Sequence, residues 1–318
     1  KNDSSRAIKT LLLYITLTLP LVSWPGSVIQ HHLPEFVKAV IFFYFTIAIV
    51  DSPQRLKLFL VVFISCQVLR VLEPLYLNIT EDYWGSSTYI GSGEMAERLS
   101  GGPYDVINGN ELGFVIATII PFLHYLLFPR GKWAKILYFS LLPALLYALV
   151  LTMSRGAFLA LLVVFFFIFI RSQHKLLLVM LAIAIAVFGW SRMSDVQRER
   201  YLSLTGADVR GAATAKGRVD GVFQELEVAM QRPIFGHGVG TTPEAKFHHH
   251  GSVKASHSLP MELIIEIGVI GLFLFFRFVL SAWKSLKRML MPEVFSMRAA
   301  SLAKTLYSWR LPLQTREI

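Results

Sequence analysis

The chain has 318 residues, of which 54% are hydrophobic and only 16% charged, and its mean hydropathy is +0.54. A water-soluble domain of this size carries closer to ~25% charged residues, so composition excludes that class. The net charge of +10 reads as anchoring charge beside a membrane, not as a nucleic-acid surface.

The apolar residues fall in blocks, which predicts an all-α polytopic membrane protein with about eight transmembrane helices. The expected spans are 8–23, 36–50, 56–72, 110–128, 134–153, 156–170, 176–190 and 258–280. Residues 1–318 read as a single membrane-embedded domain, with a large polar loop at 191–256. The N-terminal Lys1–Arg6 stretch has no small-residue cleavage site after it, so it reads as the lead-in to a first span. The single Cys66 excludes an intrachain disulfide and reads as a packing residue.

The run from Ala134 to Ile170 is too long for one crossing. As one helix its 37 residues would reach roughly 55 Å, against a hydrocarbon core of about 30 Å. Its only polar break is Ser154-Arg155-Gly156, so a turn is expected there, with Arg155 near one membrane face.

Short links carry the orientation signal. Arg55 and Lys57, Arg130 with Lys132 and Lys135, and Arg171 with Lys175 mark three basic links, whereas 24–35 has no Lys or Arg. The excess of basic residues on the cytoplasmic side then places those links and both termini inside. The loop 73–109, the turn at Arg155 and the loop 191–256 fall outside. Within the last, Arg218–Gln231 has Val219, Val222, Phe223, Leu226 and Met230 at helical spacing, so an amphipathic helix is expected, on the membrane surface or over the bundle.

Four polar clusters share that outer side: Arg98 to Asn110 leading into a span, Ser154-Arg155-Gly156, Arg218, and His257-Ser258 before the last span. Guanidinium forks grip phosphate oxygens in pairs and stay charged. An imidazole takes a proton near neutrality. Together they suit transfer of a group from a lipid diphosphate to a hydroxyl. Each residue also has a structural reading. Arg98 could be solvated, Arg218 could decorate a helix end, Arg155 could reach for headgroups, and His257 could cap the last span. Arg70, Glu262 and Glu266 are supporting candidates, the two carboxylates one turn apart inside the last span. His248-His249-His250 cannot all face one ion in regular structure, so no metal is expected.

These features resemble the O-antigen ligase and O-antigen polymerase family of bacterial inner-membrane proteins. The likeness rests on the order of Arg98…Asn110, Ser154-Arg155-Gly156, Arg218…Pro233-Ile-Phe-Gly236-His-Gly238, and His257-Ser258 followed by Gly268-x-x-Gly271. It covers roughly 95–280 and implies a metal-independent glycosyltransferase without cofactor. The implied donor is an undecaprenyl-diphosphate-linked glycan on the periplasmic side, and the implied acceptor is the lipid A core or another lipid-linked glycan. By matched position Arg155, Arg218 and Arg98 would hold the diphosphate and His257 would activate the acceptor. Family members usually have more spans, so further helices are expected beyond this chain. A protein O-oligosaccharyltransferase and a non-enzymatic transporter or flippase of lipid-linked sugars are the alternatives. The transporter is the weaker, because paired interrupted helices are not expected here.

Overall fold

A computed structural model describes residues 3–91, 94–172, 175–192, 195–202, 212–251, 256 and 258–308. The chain divides into two compact units, Ile49–Gly217 and the pairing of Lys1–Ala48 with Arg218–Ile318.

In the first unit, helix α3 runs Pro53–Glu81, and a two-stranded antiparallel sheet follows, β1 Gly85–Gly91 and β2 Glu94–Leu99. Then come α4 (Gly109–Leu127), α5 (Lys132–Leu151), α6 (Arg155–Arg171), α7 (Lys175–Arg192) and the short α8 (Asp195–Leu202). Three helices share one apolar seam with the same periodicity. Ile64, Val68, Val71 and Leu75 of α3 meet Leu112, Ile116, Ile119 and Leu123 of α4 and Tyr138, Leu142, Leu145 and Leu149 of α5. Steps of four, three and four residues keep a stripe on one side of each helix. The opposite sides stay apolar and exposed, as at Leu69, Phe114 and Phe139. Such a surface suits lipid, where close packing rather than escape from water holds helices together.

In the second unit, α1 (Asp3–Thr18) and α2 (Pro25–Ile49) precede α9 (Ala212–Gln231), α10 (Thr242–His250) and α11 (Leu259–Ser308). Ile8, Leu11 and Ile15 of α1 cluster with Val40 and Ile267. Tyr44 donates to the Ser5 carbonyl at 2.8 Å.

Among the described residues five helices are long and apolar enough to cross a membrane: 25–49, 53–81, 109–127, 132–151 and 259–288. The expected spans at 8–23 and 156–170 are helices of 16 and 17 residues, Asp3–Thr18 and Arg155–Arg171, below the ~20 residues typical of a full crossing. The link expected at 24–35 is largely helical. Pro25 starts α2, where a missing N–H costs nothing. A π-turn over Val28–His32 then shifts the hydrogen-bond register just ahead of Pro34, which cannot donate. The loop expected at 73–109 is shorter, because α3 continues to Glu81 and the strand pair occupies 85–99. Among the described residues the fold is therefore helical with one antiparallel strand pair. Cys66 is exposed on α3 and packs into no core.

The turn expected inside the long apolar run is present between α5 and α6. Thr152 closes α5, Met153 adopts a left-handed φ of 52°, and Ser154 starts α6 in extended conformation. The left-handed conformation costs a non-glycine residue about 1–2 kcal/mol. Full burial of the Met153 side chain (1% exposed) and the hydrogen bonds of its neighbours hold it.

Candidate active site

In the first unit the candidate residues gather around this turn. The Thr152 hydroxyl donates to the Leu149 carbonyl at 2.7 Å and accepts from the Ser154 N–H at 3.3 Å. The Ser154 hydroxyl accepts from the Ala157 N–H, capping α6. Arg98, at the end of β2, donates from Nε to the Thr152 carbonyl at 2.8 Å and from Nη2 to Asn110 Oδ1 at 2.7 Å. One guanidinium thus ties the strand, the start of α4 and the turn together. Thr152, Ser154, Arg155 and Arg98 are all buried, Arg155 at 8% exposure. Arg155 is the first residue of α6, where the helix dipole is positive. A buried cation at that end of a helix is electrostatically costly and is eased by an anion.

Close approach depends on Gly113. A Cβ there would lie 2.7 Å from the Ala157 Cβ and 2.9 Å from the Ser154 Cβ, so any side chain would push α4 off the turn. The start of α4 is set by a reciprocal cap: Asn108 Oδ1 accepts from the Asn110 and Glu111 N–H groups, and Glu111 accepts from the Asn108 N–H at 2.8 Å.

Arg70 is committed elsewhere. It forms a two-pronged ion pair with Asp105, with Nη2 to Oδ1 at 2.6 Å. The Arg70 guanidinium holds the Asp105 carboxyl below the usual carboxylate range. Together with a hydrogen bond from the Tyr83 hydroxyl to the Gly101 carbonyl at 2.9 Å, it fixes the loop between β2 and α4.

In the second unit the last helix is broken. Gly268 has φ 66° and ψ −176°, outside helical conformation. The segment after α9 docks on the break: His237 N–H donates to the Ile265 carbonyl at 2.7 Å, Gly238 N–H to the Glu266 carbonyl at 2.9 Å, and Val269 N–H to the Pro233 carbonyl at 2.8 Å. Tyr14 donates to the Ile267 carbonyl at 2.8 Å. The freed backbone groups are thereby satisfied, as membrane depth requires. The Glu266 carboxylate accepts from the Thr242 hydroxyl at 2.9 Å. The continuous last span expected from the sequence is thus an interrupted one.

His237 is buried at 4% exposure, stacked on Trp24, with Nδ1 2.9 Å from the Ser23 hydroxyl and Nε2 3.1 Å from the Val228 carbonyl. Burial, with Arg232 nearby, pushes its pKa down, so the neutral ring with Nε2–H donating fits both contacts. Nearby, Glu225 and Lys246 form a buried ion pair at 2.8 Å. Neither group stood out in the sequence, because they lie in different elements without a common spacing.

Arg218 falls inside α9, which starts at Ala212, so it is not the helix start that the sequence suggested. Its side chain and the whole of His257 lie outside the described residues. The expected apolar face of α9 is outward: Val222, Phe223, Leu226 and Met230 are exposed, while Glu225, Val228 and Ala229 are buried. Glu227, His249 and His250 bring ligand atoms within 4.8 Å of one another on an exposed surface, a set able to hold a metal ion. Only two of the three consecutive histidines take part.

Residues 139–276 match the family model described as O-antigen ligase. That stretch holds Arg155, Arg218, His257, Glu262 and Glu266, while Arg70, Arg98 and Asn110 precede it. No curated protein matches the chain, and no solved structure does.

Proposed function

We propose that this chain, whose residues 139–276 match the O-antigen ligase family model, moves a glycan from an undecaprenyl-diphosphate donor to a sugar hydroxyl at the periplasmic face of a bacterial inner membrane. The bond from the anomeric carbon to the diphosphate oxygen breaks, and the acceptor oxygen takes its place on that carbon. The acceptor proton passes to His257 and undecaprenyl diphosphate leaves. Arg155 and Arg218 hold the diphosphate and neutralise charge growing on the leaving oxygen. Arg98, committed to Thr152 and Asn110, contributes chiefly by fixing the turn that presents Arg155. The reaction uses no metal or cofactor.

The observation that carries this reading is the buried Arg155 at the N-terminus of α6. Guanidinium and helix dipole there act with the same sign, which suits a diphosphate at a lipid boundary. The acceptor is the lipid A core or a second lipid-linked glycan, with a protein Ser or Thr as a third class.

The broken helix at Gly268 gives the transporter reading one feature it lacked in the sequence, since discontinuous spans line transport sites. Reconstitution with undecaprenyl-diphosphate-linked glycan and a panel of acceptors separates the two. Transfer that disappears in both Arg155→Ala and His257→Ala supports the enzyme. Donor binding without transfer to any acceptor supports the carrier.

A further inference from the structure

The approach to the last span is held by a relay that starts at a buried charge. Lys246 Nζ sits 2.8 Å from Glu225 Oε1, and both side chains are nearly inaccessible, at 10% and 4% exposure. The second oxygen of Glu225 accepts the Ser256 hydroxyl at 2.8 Å. The same hydroxyl accepts the Ser258 N–H at 3.1 Å. The Ser258 carbonyl in turn accepts the Glu262 N–H at 3.0 Å, the first turn of α11. All these groups belong to one unit. The ammonium donates, the carboxylate accepts on both oxygens, and the Ser256 hydroxyl accepts from Ser258 while its own proton faces Glu225 at 2.8 Å more closely than the Ser258 carbonyl at 3.2 Å.

A buried ion pair is a costly way to add stability, since apolar groups of the same size do as well or better. What it supplies is direction. The carboxylate is fixed by Lys246, and it fixes Ser256 in turn.

We propose that Glu225, Lys246 and Ser256 are positioning residues for transfer, setting the backbone on both sides of His257 through Ser256 and Ser258. This rests on the reading of His257 as the group that takes the acceptor proton. Loss of the relay misplaces that group while leaving the donor-binding arginines untouched. It therefore acts on kcat and spares the KM for donor.

The test uses the full chain in proteoliposomes with undecaprenyl-diphosphate-linked glycan and a fixed acceptor. Ser256→Ala is expected to lower kcat about tenfold or more, with donor KM within about twofold of the parent. Ser256→Thr, which keeps a hydroxyl, is expected to recover most of that loss. Glu225→Gln, which still accepts from Ser256 but no longer faces Lys246 as a charge, is expected to fall between the two. It also serves in place of Ser256→Ala should the latter fold poorly by thermal unfolding. His257→Ala is assayed beside them. An inactive His257→Ala together with parent-like kcat in both Ser256→Ala and Glu225→Gln overturns the relay and leaves the function standing. Raised donor KM at unchanged kcat, or a threonine variant as poor as the alanine one, overturns it equally. An active His257→Ala removes the catalytic reading itself, and with it the object the relay would position.

Discussion

Arg98 donates through Nε to the carbonyl of Thr152, at 2.8 Å, across two elements of the first unit. Its Nη2 donates to Asn110 Oδ1, so its planar fork bridges two groups that a lysine could not serve together. Arg98→Lys is therefore expected to destabilise that unit by about 2–3 kcal/mol. Thermal unfolding in detergent measures this directly. An unchanged midpoint would show that the turn does not depend on the bridge.

Arg155→Ala is expected to reduce glycan transfer by about a hundredfold or more, and Arg155→Lys by less, because lysine keeps the charge but not the paired donors. Initial rates at saturating acceptor distinguish the two. Equal activity in parent, lysine and alanine proteins would remove Arg155 from the chemistry.

Gly268→Ala tests the broken helix. The backbone there is in a region that side chains avoid, and a Cβ would lie 2.2 Å from the Ile234 carbonyl oxygen. A loss of about 2–4 kcal/mol is expected, with lower yield in the membrane fraction. A variant as stable as the parent would mean that the docked segment moves aside without cost.

His237 links stability to pH. Its folded pKa is depressed by burial, so the unfolded chain binds a proton more readily. The contribution of the neutral ring is complete above the unfolded value near ~6.5 and is lost as pH falls from there toward the folded value. His237→Gln is expected to be less stable at pH 8 but to lack that slope. Parallel slopes for the two proteins between about pH 5 and 7 would exclude His237 as its source.

Much of the first unit's framework could be read from the chain. The turn at Ser154 followed from length alone, since 37 apolar residues do not fit one crossing. The start of α4 was written as Asn108-x-x-Glu111, a capping signature that was open to reading. Other features left no local signal. The hairpin 85–99 is short and polar, and Gly85-Ser-Ser reads as loop by composition. The segment 24–35 was expected as a link, and a π-turn over Val28–His32 lets the helix continue through it. Gly268 sits among apolar residues as glycine commonly does in membrane helices, so only tertiary contact with Pro233–Gly238 reveals the break. The Glu225–Lys246 pair is made by packing α9 on α10, and no periodicity predicts it.

The 29 residues of α3 have a consequence for the chain that follows it. At 1.5 Å per residue the helix reaches roughly 43 Å, about 13 Å more than the hydrocarbon is thick. Pro74 lies near the point where that thickness is used up, and the final turns act as a stalk. The loop between β2 and α4 is tied through Asp105 to Arg70, one turn before Pro74, so it stays level with that part of α3 while the helix runs on to Glu81.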